Sequence, residues 1–466
     1  MKNTKRRMEI VSFFDHTGIS AHLEKMAEKG WMIEKISNFG WKYRRIEPRK
    51  VKFAVSYYPK ASEFDPEPSE EQREFHEFCE YTGWKLACMS AQLQIFYNEN
   101  ENPIPIETEP VLEVQTIHAS VKRGMIPSYI LLIIVAVLQG GLFISRLLGD
   151  PIGLLASPSS LVSGTAVVLL SLLCAVELGC YYRWYAKAKI AAEQGEFLRT
   201  PSTAMFQKGV LVILGIIMVY WVFSYLMNGP LMRRWVSIIM MGYVPLLIII
   251  VNGTKEFLKK KKVSRKLNFA VTMLVDVFFA FALMGIITFG VLKASDMGLF
   301  AEKEEETYEH NGITWVLHED ELPLVLEDLM EGDFEGYIRE RRGDSSLLLS
   351  QLELFQRPRM DVHNYIDLPR LEYRIVAVHV PALYEMCKNQ MIDEGEHVGK
   401  MRRNQYQTED AAPWGANKAY RLYDLEYGME NTWLLCYDEK IVEIHFDWEP
   451  TEEQQAIVGK KLSGQK

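Results

Sequence analysis

Five apolar stretches between Ile126 and Leu292 constrain this chain more than any other feature. They are Ile126–Leu148, Leu161–Tyr182, Gly209–Met227, Trp235–Val251 and Phe269–Leu292. Each is close to the ~20 residues that a helix rising about 1.5 Å per residue needs to cross a bilayer. Tyr129–Gly141 and Tyr243–Val251 carry no charged residue at all. A soluble domain would have to bury five such helices in succession, so the block predicts a five-span helical transmembrane domain over residues 126–292. Whole-chain averages hide it: a mean hydropathy of −0.06 and a net charge of −9 over 466 residues describe an ordinary soluble protein. Partitioned, residues 1–125 carry net −1, residues 126–293 net +10 and residues 294–466 net −18. The composition also excludes a disordered chain and a small disulfide scaffold.

The basic residues give an orientation. Lys122 and Arg123 precede the first stretch. Arg183, Lys187, Lys189, Arg199 and Lys208 lie between the second and third, and Lys255, Lys259–Lys262, Arg265 and Lys266 between the fourth and fifth. Only Arg146, Arg233, Arg234 and Lys293 fall on the other side. Lys and Arg concentrate in cytoplasmic loops, which predicts a multi-pass cell-membrane protein with a cytoplasmic N-terminus and an extracytoplasmic C-terminus. Met8–Phe14 is too short and contains Glu9, so no cleavable signal peptide is expected.

The flanking segments predict an α+β multidomain membrane protein: residues 1–115 a cytoplasmic α+β domain, 116–125 a juxtamembrane linker and 293–466 an acidic extracytoplasmic α+β domain. In the first, Met8–Phe14 is expected as a strand, and Ile19, Leu23, Met26 and Ala27 line one face of a helix stopped by Gly30. Trp31–Ile36, Gly40–Ile46 and Val51–Tyr58 are extended. A second helix follows the Ser69/Gln72 capping pattern, with Phe75, Phe78, Cys79 and Thr82 inward and Gly83 as its stop. Trp84–Tyr97 closes the domain as one strand. The order β-α-β-β-(β)-α-β suggests a ferredoxin-like sandwich, and Asn98–Pro110 an acidic, Pro-rich linker.

The segment Met26-Ala27-Glu28-Lys29-Gly30-Trp31, the aromatic strand ending Tyr57-Tyr58, and the repeated Gly83-Trp84 resemble the bacterial family known as domain of unknown function 2812, over the first quarter of the chain. That resemblance implies a domain preceding membrane spans in Gram-positive bacteria, often encoded beside PadR-like transcriptional regulators, with no established catalytic residues. Trp31, Trp41 and Trp84 are expected in the core. Arg44, Arg45, Arg49, Lys50 and Lys52 form a basic hairpin that either touches anionic lipid or nucleic acid or simply guards a strand edge. With net −1 and no recognition motif, nucleic acid is not an expected partner. Glu70, Glu74 and Glu77 lie on an outer helix face.

Glu177 and Asp276 are the acidic residues inside the apolar stretches, at similar expected depth. A carboxylate there is expensive and normally faces a bundle interior, so a shared polar site for a cation or proton is one reading, and local hydrogen bonding the other. In the last third, Leu347–Phe355, Tyr373–Val380, Thr432–Tyr437 and Lys440–Phe446 are strand-like, with Asp438-Glu439 a hairpin turn. Ala382–Met391 is a helix, and Thr451/Gln454 caps the final one. Trp414, Tyr420, Tyr423, Tyr427, Trp433 and Trp448 either pack the core or line a ligand surface. Cys387 and Cys436 form the one external cysteine pair, bonded or free. His310 and His318 beside Glu319–Glu321 match no metal motif, and no hydrolase, zincin, phosphate-loop or dinucleotide motif is present.

The expectation is a non-enzymatic regulatory or sensory protein without a cofactor. It joins an external ligand- or partner-binding domain to a cytoplasmic domain that meets a protein partner, such as a transcriptional regulator. The alternatives are a small transporter or permease subunit using Glu177 and Asp276, and an envelope enzyme with an unrecognised site.

Overall fold

The computed structural model describes residues 3–37, 40–228, 231–297, 299, 307–398 and 401–463. The chain divides into two compact units: Met1–Gln139 with Ala166–Met297, and Gly140–Thr165 with Gly298–Lys466.

The first unit begins with the strand β1 (Thr4–Arg7), the helix α1 (His16–Glu28) and the strands β2 (Trp31–Lys35), β3 (Trp41–Arg45) and β4 (Lys52–Tyr57). It continues with α2 (Glu70–Tyr81), β5 (Lys85–Ser90) and β6 (Leu93–Asn98). Asp15 caps α1 by accepting from the Gly18 amide, and the anticipated face of Ile19, Leu23, Met26 and Ala27 is buried. Gly30 and Gly83 both follow a helix with φ near +80° and +88°, a left-handed conformation that glycine adopts at little cost. A Cβ on Gly30 would also meet the Ile46 carbonyl oxygen at 2.9 Å. Each glycine thus turns the chain into a strand, β2 beginning at Trp31 and β5 one residue after Trp84.

The strands pair as two antiparallel three-stranded sheets, β1-β3-β2 and β4-β6-β5. The single sheet of a ferredoxin-like sandwich is therefore not what the pairing gives. Two local expectations also need correction. Met8–Phe14 is irregular rather than a strand, because Phe14 is used elsewhere, against aromatic side chains of a long helix described below. Trp84–Tyr97 is a hairpin, turning at Ala91 with φ +48°. On α2, Gln72 and Cys79 are buried, whereas Phe78 is 58% exposed and Tyr81 93%. Trp41 and Trp84 are core residues. Trp31 is half-buried beneath Lys5 and Arg45.

Residues 99–109 are pinned rather than free, since the Trp84 indole donates to the Ile104 carbonyl at 2.8 Å. The expected linker is the amphipathic helix α3 (Pro110–Arg123), which buries Val114, Ile117 and Val121. Then come α4 (Met125–Gly149), the short α5 (Pro151–Ala156), α6 (Pro158–Glu193), α7 (Ala204–Asn228), α8 (Leu231–Lys260) and α9 (Arg265–Asp296). Among the described residues, five helical segments are long and apolar enough to cross a membrane. Their flanks stay uncovered by protein, as with Val137 at 68% and Phe281 at 78% exposure. Exposed apolar surface on that scale marks a membrane or protein contact.

The second unit contains the hairpin β7 (Thr307–His310) and β8 (Ile313–Val316), then β9 (Tyr337–Ser345), β10 (Leu349–Pro358), β11 (Leu371–Val378) and α10 (Tyr384–Glu396). After the short pair β12 (His397–Val398) and β13 (Met401–Arg402) follow β14 (Asn404–Glu409), β15 (Lys418–Asp424), β16 (Gly428–Cys436), β17 (Lys440–Phe446) and α11 (Glu452–Leu462). Seven strands form one antiparallel sheet in the order β14-β15-β16-β17-β11-β10-β9. Strand alternation sends Ile375, Leu435 and Val442 to one face with Val458 and Leu462 of α11, and Val376, Leu434 and Ile441 to the other with Cys387 and Met391 of α10. Ile152 and Ala156 of α5 join that second core. The connection between α4 and α6 is thereby built into this domain, and the Ser346 hydroxyl donates to the Leu155 carbonyl at 2.7 Å.

The Thr451/Gln454 capping box is formed. Trp414 and Trp433 are core, Trp448 is partly buried against the same cluster, and Tyr427 is exposed. Cys387 and Cys436 are free thiols buried in one cluster, and burial pushes Cys387 up to about 11.

Candidate functional site: a buried polar junction

The N-terminal domain meets the long helices through two sets of contacts within the first unit. The apolar part is a cluster holding Phe14, Tyr57, Ile117, Tyr181 and Trp184. Phe14 is fully buried, edge-on to Tyr181 at 5.3 Å and 6.0 Å from Trp184. The His118 ring shares a 2.6 Å hydrogen bond with the Tyr181 hydroxyl and stacks on Tyr185 at 4.1 Å. The Tyr57 hydroxyl donates to the Phe13 carbonyl at 2.6 Å. Complete burial, with Asp15 and Glu113 close by, holds that phenol far above its ordinary range.

Beside this cluster lies the polar core of the junction. Glu177 of α6 is completely buried. Its Oε1 accepts from the Thr203 hydroxyl and, at 2.7 Å, from Gln207 Nε2. The same Gln207 nitrogen donates to Ser12 Oγ at 3.0 Å, and Ser12 and Thr203 hydroxyls are 2.5 Å apart. Glu177 Oε2 has no hydrogen-bond partner among the described residues. A second chain runs in parallel: the Thr200 hydroxyl donates to Asp15 Oδ1 at 2.6 Å and lies 2.6 Å from the Thr17 hydroxyl. Asp15 thus caps α1 and also fixes the α6–α7 connection. Buried polar groups of this kind are costly unless paired and so specify one geometry.

The α8–α9 connection docks onto the same domain. Asn268, fully buried, donates to the Phe64 carbonyl at 3.1 Å, and Thr272 donates to Asn268 Oδ1 at 3.2 Å. Lys255 pairs with Glu63 at 2.9 Å, Lys262 with Glu67 at 2.6 Å, and Phe64 meets Phe269 edge-on at 5.2 Å.

Of the two carboxylates singled out from sequence, Glu177 is thus a junction residue. Asp276 is half-buried on α9, and no hydrogen bond or ion pair among the described residues joins it to Glu177. Sequence alone does not point to Ser12, Asp15, Thr17, Thr200, Thr203 or Gln207. The hydroxyl-rich Thr200-Pro201-Ser202-Thr203 before a long apolar helix is their one local signal. The basic hairpin is largely engaged internally, with Arg45 over Trp31, Arg49 on Glu99 and Lys52 on Glu24. Glu70, Glu74 and Glu77 are exposed. Among the described residues no group of three His, Cys, Asp or Glu side chains is placed to hold a metal ion; His310 packs against Tyr365.

Residues 16–127 match the family model described as protein of unknown function (DUF2812). The matched segment runs from α1 through α3 to the start of α4 and includes both Gly-Trp pairs. It therefore takes in Thr17, Tyr57, Ile117 and His118 of the junction, while Ser12, Phe14, Asp15, Glu177, Thr200, Thr203 and Gln207 lie outside it. No curated protein and no solved structure matches the chain significantly.

Proposed function

We propose that this is a non-enzymatic regulatory or sensory protein of the cell membrane. Its N-terminal domain, which contains the DUF2812 segment, is held to the membrane helices as a reporter of their arrangement and presents an exposed surface to a cytoplasmic protein partner, such as a transcriptional regulator. The observation that carries this reading is the buried Ser12–Thr203–Gln207–Glu177 network. A tethered domain serving only as an anchor needs no such network, because polar groups buried without necessity weaken an interface.

What supports the N-inside, C-outside orientation is the sorting of connections together with the basic loops. The α4–α6 connection packs with the C-terminal domain, and the α6–α7 and α8–α9 connections pack with the N-terminal domain. Lys and Arg gather at the latter connections. The acidic C-terminal domain then receives the external ligand or partner. A ferredoxin-like ancestry of the N-terminal domain, with its sheet split in two, fits the element order.

The test places a photo-crosslinking residue at Tyr81, 93% exposed, in the full chain in cells. A regulatory role predicts a discrete crosslinked cytoplasmic protein whose yield changes when Gln207→Leu breaks the network. Absence of any adduct above that from a site in the α4 flank would contradict it.

A further inference from the structure

We propose that a cleft between the N-terminal domain and α8 binds the phosphate of an anionic lipid headgroup. The inference stands independently of the regulatory reading. The cleft has a volume of about 490 Å³ and is lined by Arg6, Lys35 and Lys42 on one side and by Ile249, Gly253 and Lys255 of α8 on another.

Three observations converge. First, Arg6 faces Lys42 across β1 and β3, and Lys35 faces the same Lys42 across β2 and β3. Directly opposed residues share a face of the sheet, so three cations stand in a row. Like charges in that relation destabilise a sheet unless an anion sits among them. Only Lys42 has an acid partner, Glu34 at 2.6 Å; among the described residues no acid pairs with Arg6 or Lys35.

Second, the acids that line the cleft, Glu63, Asp65 and Glu67 before α2 and Glu256 on α8, are already engaged. Glu63 pairs with Lys255, Glu256 with Lys259, Glu67 with Lys262 and Asp65 with Arg265. They leave Arg6 and Lys35, on either side of the paired Lys42, as the uncompensated charges of the cleft.

Third, the cleft lies where α8 passes from apolar to charged. Ile249 lies near the end of the uncharged run Tyr243–Val251, and the charged turn from Lys255 follows within two helical turns. A Cβ on Gly253 would touch nothing within 4 Å, so the helix leaves the entrance open there. A phosphate at the cation row can therefore keep its glycerol and acyl chains along Ile249 and the apolar helix surface. A free anion uses none of that wall, and basic pockets beside membrane helices are suited to such headgroups.

The experiment is native mass spectrometry of the detergent-solubilised full chain, titrated with phosphatidylglycerol, phosphatidylcholine or inorganic phosphate. The wild type should retain one phosphatidylglycerol, at least about tenfold more tightly than phosphatidylcholine, whose own cation neutralises the phosphate. The Arg6→Gln/Lys35→Gln/Lys42→Gln variant should lose that preference, while Lys260→Gln/Lys261→Gln should keep it. Should the triple variant fold poorly, Lys35→Glu at an exposed position and Gly253→Leu, which fills the entrance, should each weaken retention similarly. Equal retention of phosphatidylglycerol by wild type and these variants overturns the site. Displacement of the lipid by equimolar inorganic phosphate overturns the lipid as its ligand.

Discussion

Phe14→Ala should undock the N-terminal domain from α6 without unfolding either part. Phe14 is completely buried and contacts Tyr181 and Trp184 through its ring. Removing about 200 Å² of aromatic surface from water at roughly 25 cal/mol/Å² stabilises by up to ~5 kcal/mol, an upper bound. Measured Phe→Ala costs in packed cores run at about 3–5 kcal/mol. Phe14 stands in the junction cluster and not in the domain core of Ile19, Leu23, Trp41 and Phe53, so the loss falls on docking. Hydrogen exchange of the detergent-solubilised full chain should therefore speed up in residues 8–15 and 181–203 and stay unchanged in α1 and β3. Phe78→Ala, at a 58% exposed position, is the control and should change stability by no more than ~0.5 kcal/mol. If Phe14→Ala behaves like Phe78→Ala, or if exchange rises equally through the domain core, the reasoning is wrong.

Four further outcomes follow from the same structure. Glu177→Leu strips Thr203 and Gln207 of a shared acceptor and should cost ~2–6 kcal/mol in chemical unfolding, at about 1–3 kcal/mol for each of the two groups left unsatisfied. Glu177→Gln keeps an acceptor oxygen and should cost less; equal losses would contradict the assignment. Gly30→Ala forces a side chain into φ +80° against the Ile46 carbonyl and should destabilise by about 1–3 kcal/mol in thermal melts, with Gly195→Ala, which has open space, costing less. Gln454→Ala removes the α11 capping box and the 2.8 Å bond to the Leu329 carbonyl and should cost ~1–2 kcal/mol, read as faster exchange in 452–462. In the C-terminal domain, burial holds the Glu443 carboxyl above its ordinary value, against the opposing Tyr406 hydrogen bond and Arg374 charge. The folded state then binds the proton more tightly than the unfolded one. Its contribution is full below the unfolded carboxylate value and is lost as pH rises through the raised one. Glu443→Gln should flatten the fall in stability over that window, and an unchanged pH slope would refute this.

The apolar periods and caps are legible in sequence because they are local. Ile19, Leu23, Met26 and Ala27 repeat on one face of α1, Thr451 and Gln454 are three residues apart, and each membrane stretch is contiguous. Met8–Phe14 misleads as a strand because its apolar residues serve a helix more than 160 positions away, and periodicity carries no information about such a partner. Residues 116–125 read as a juxtamembrane linker because the acidic, Pro-rich approach over 98–110 masks an amphipathic helix, Pro110–Arg123, whose apolar face answers Tyr181 and Trp184. The pairing of six strands into two sheets is likewise a choice among edges that a single strand's composition does not decide. Glu177 stands out as an anomaly in an apolar run. Its donor Thr203 and the Ser12 that bonds Thr203 in turn do not, since hydroxyls in loops are common and only the fold brings these two together.

The most direct test of the junction is a disulfide between Ser12→Cys and Thr203→Cys, whose native hydroxyl oxygens are 2.5 Å apart, in a full chain whose six native cysteines are free thiols. Mild oxidation in isolated membranes should bridge this pair nearly completely. The control pair joins Ser12→Cys to Ser202→Cys, an exposed position one residue before Thr203, and should bridge poorly. Equal bridging of the two pairs, or none in the first, contradicts an N-terminal domain locked to the membrane helices.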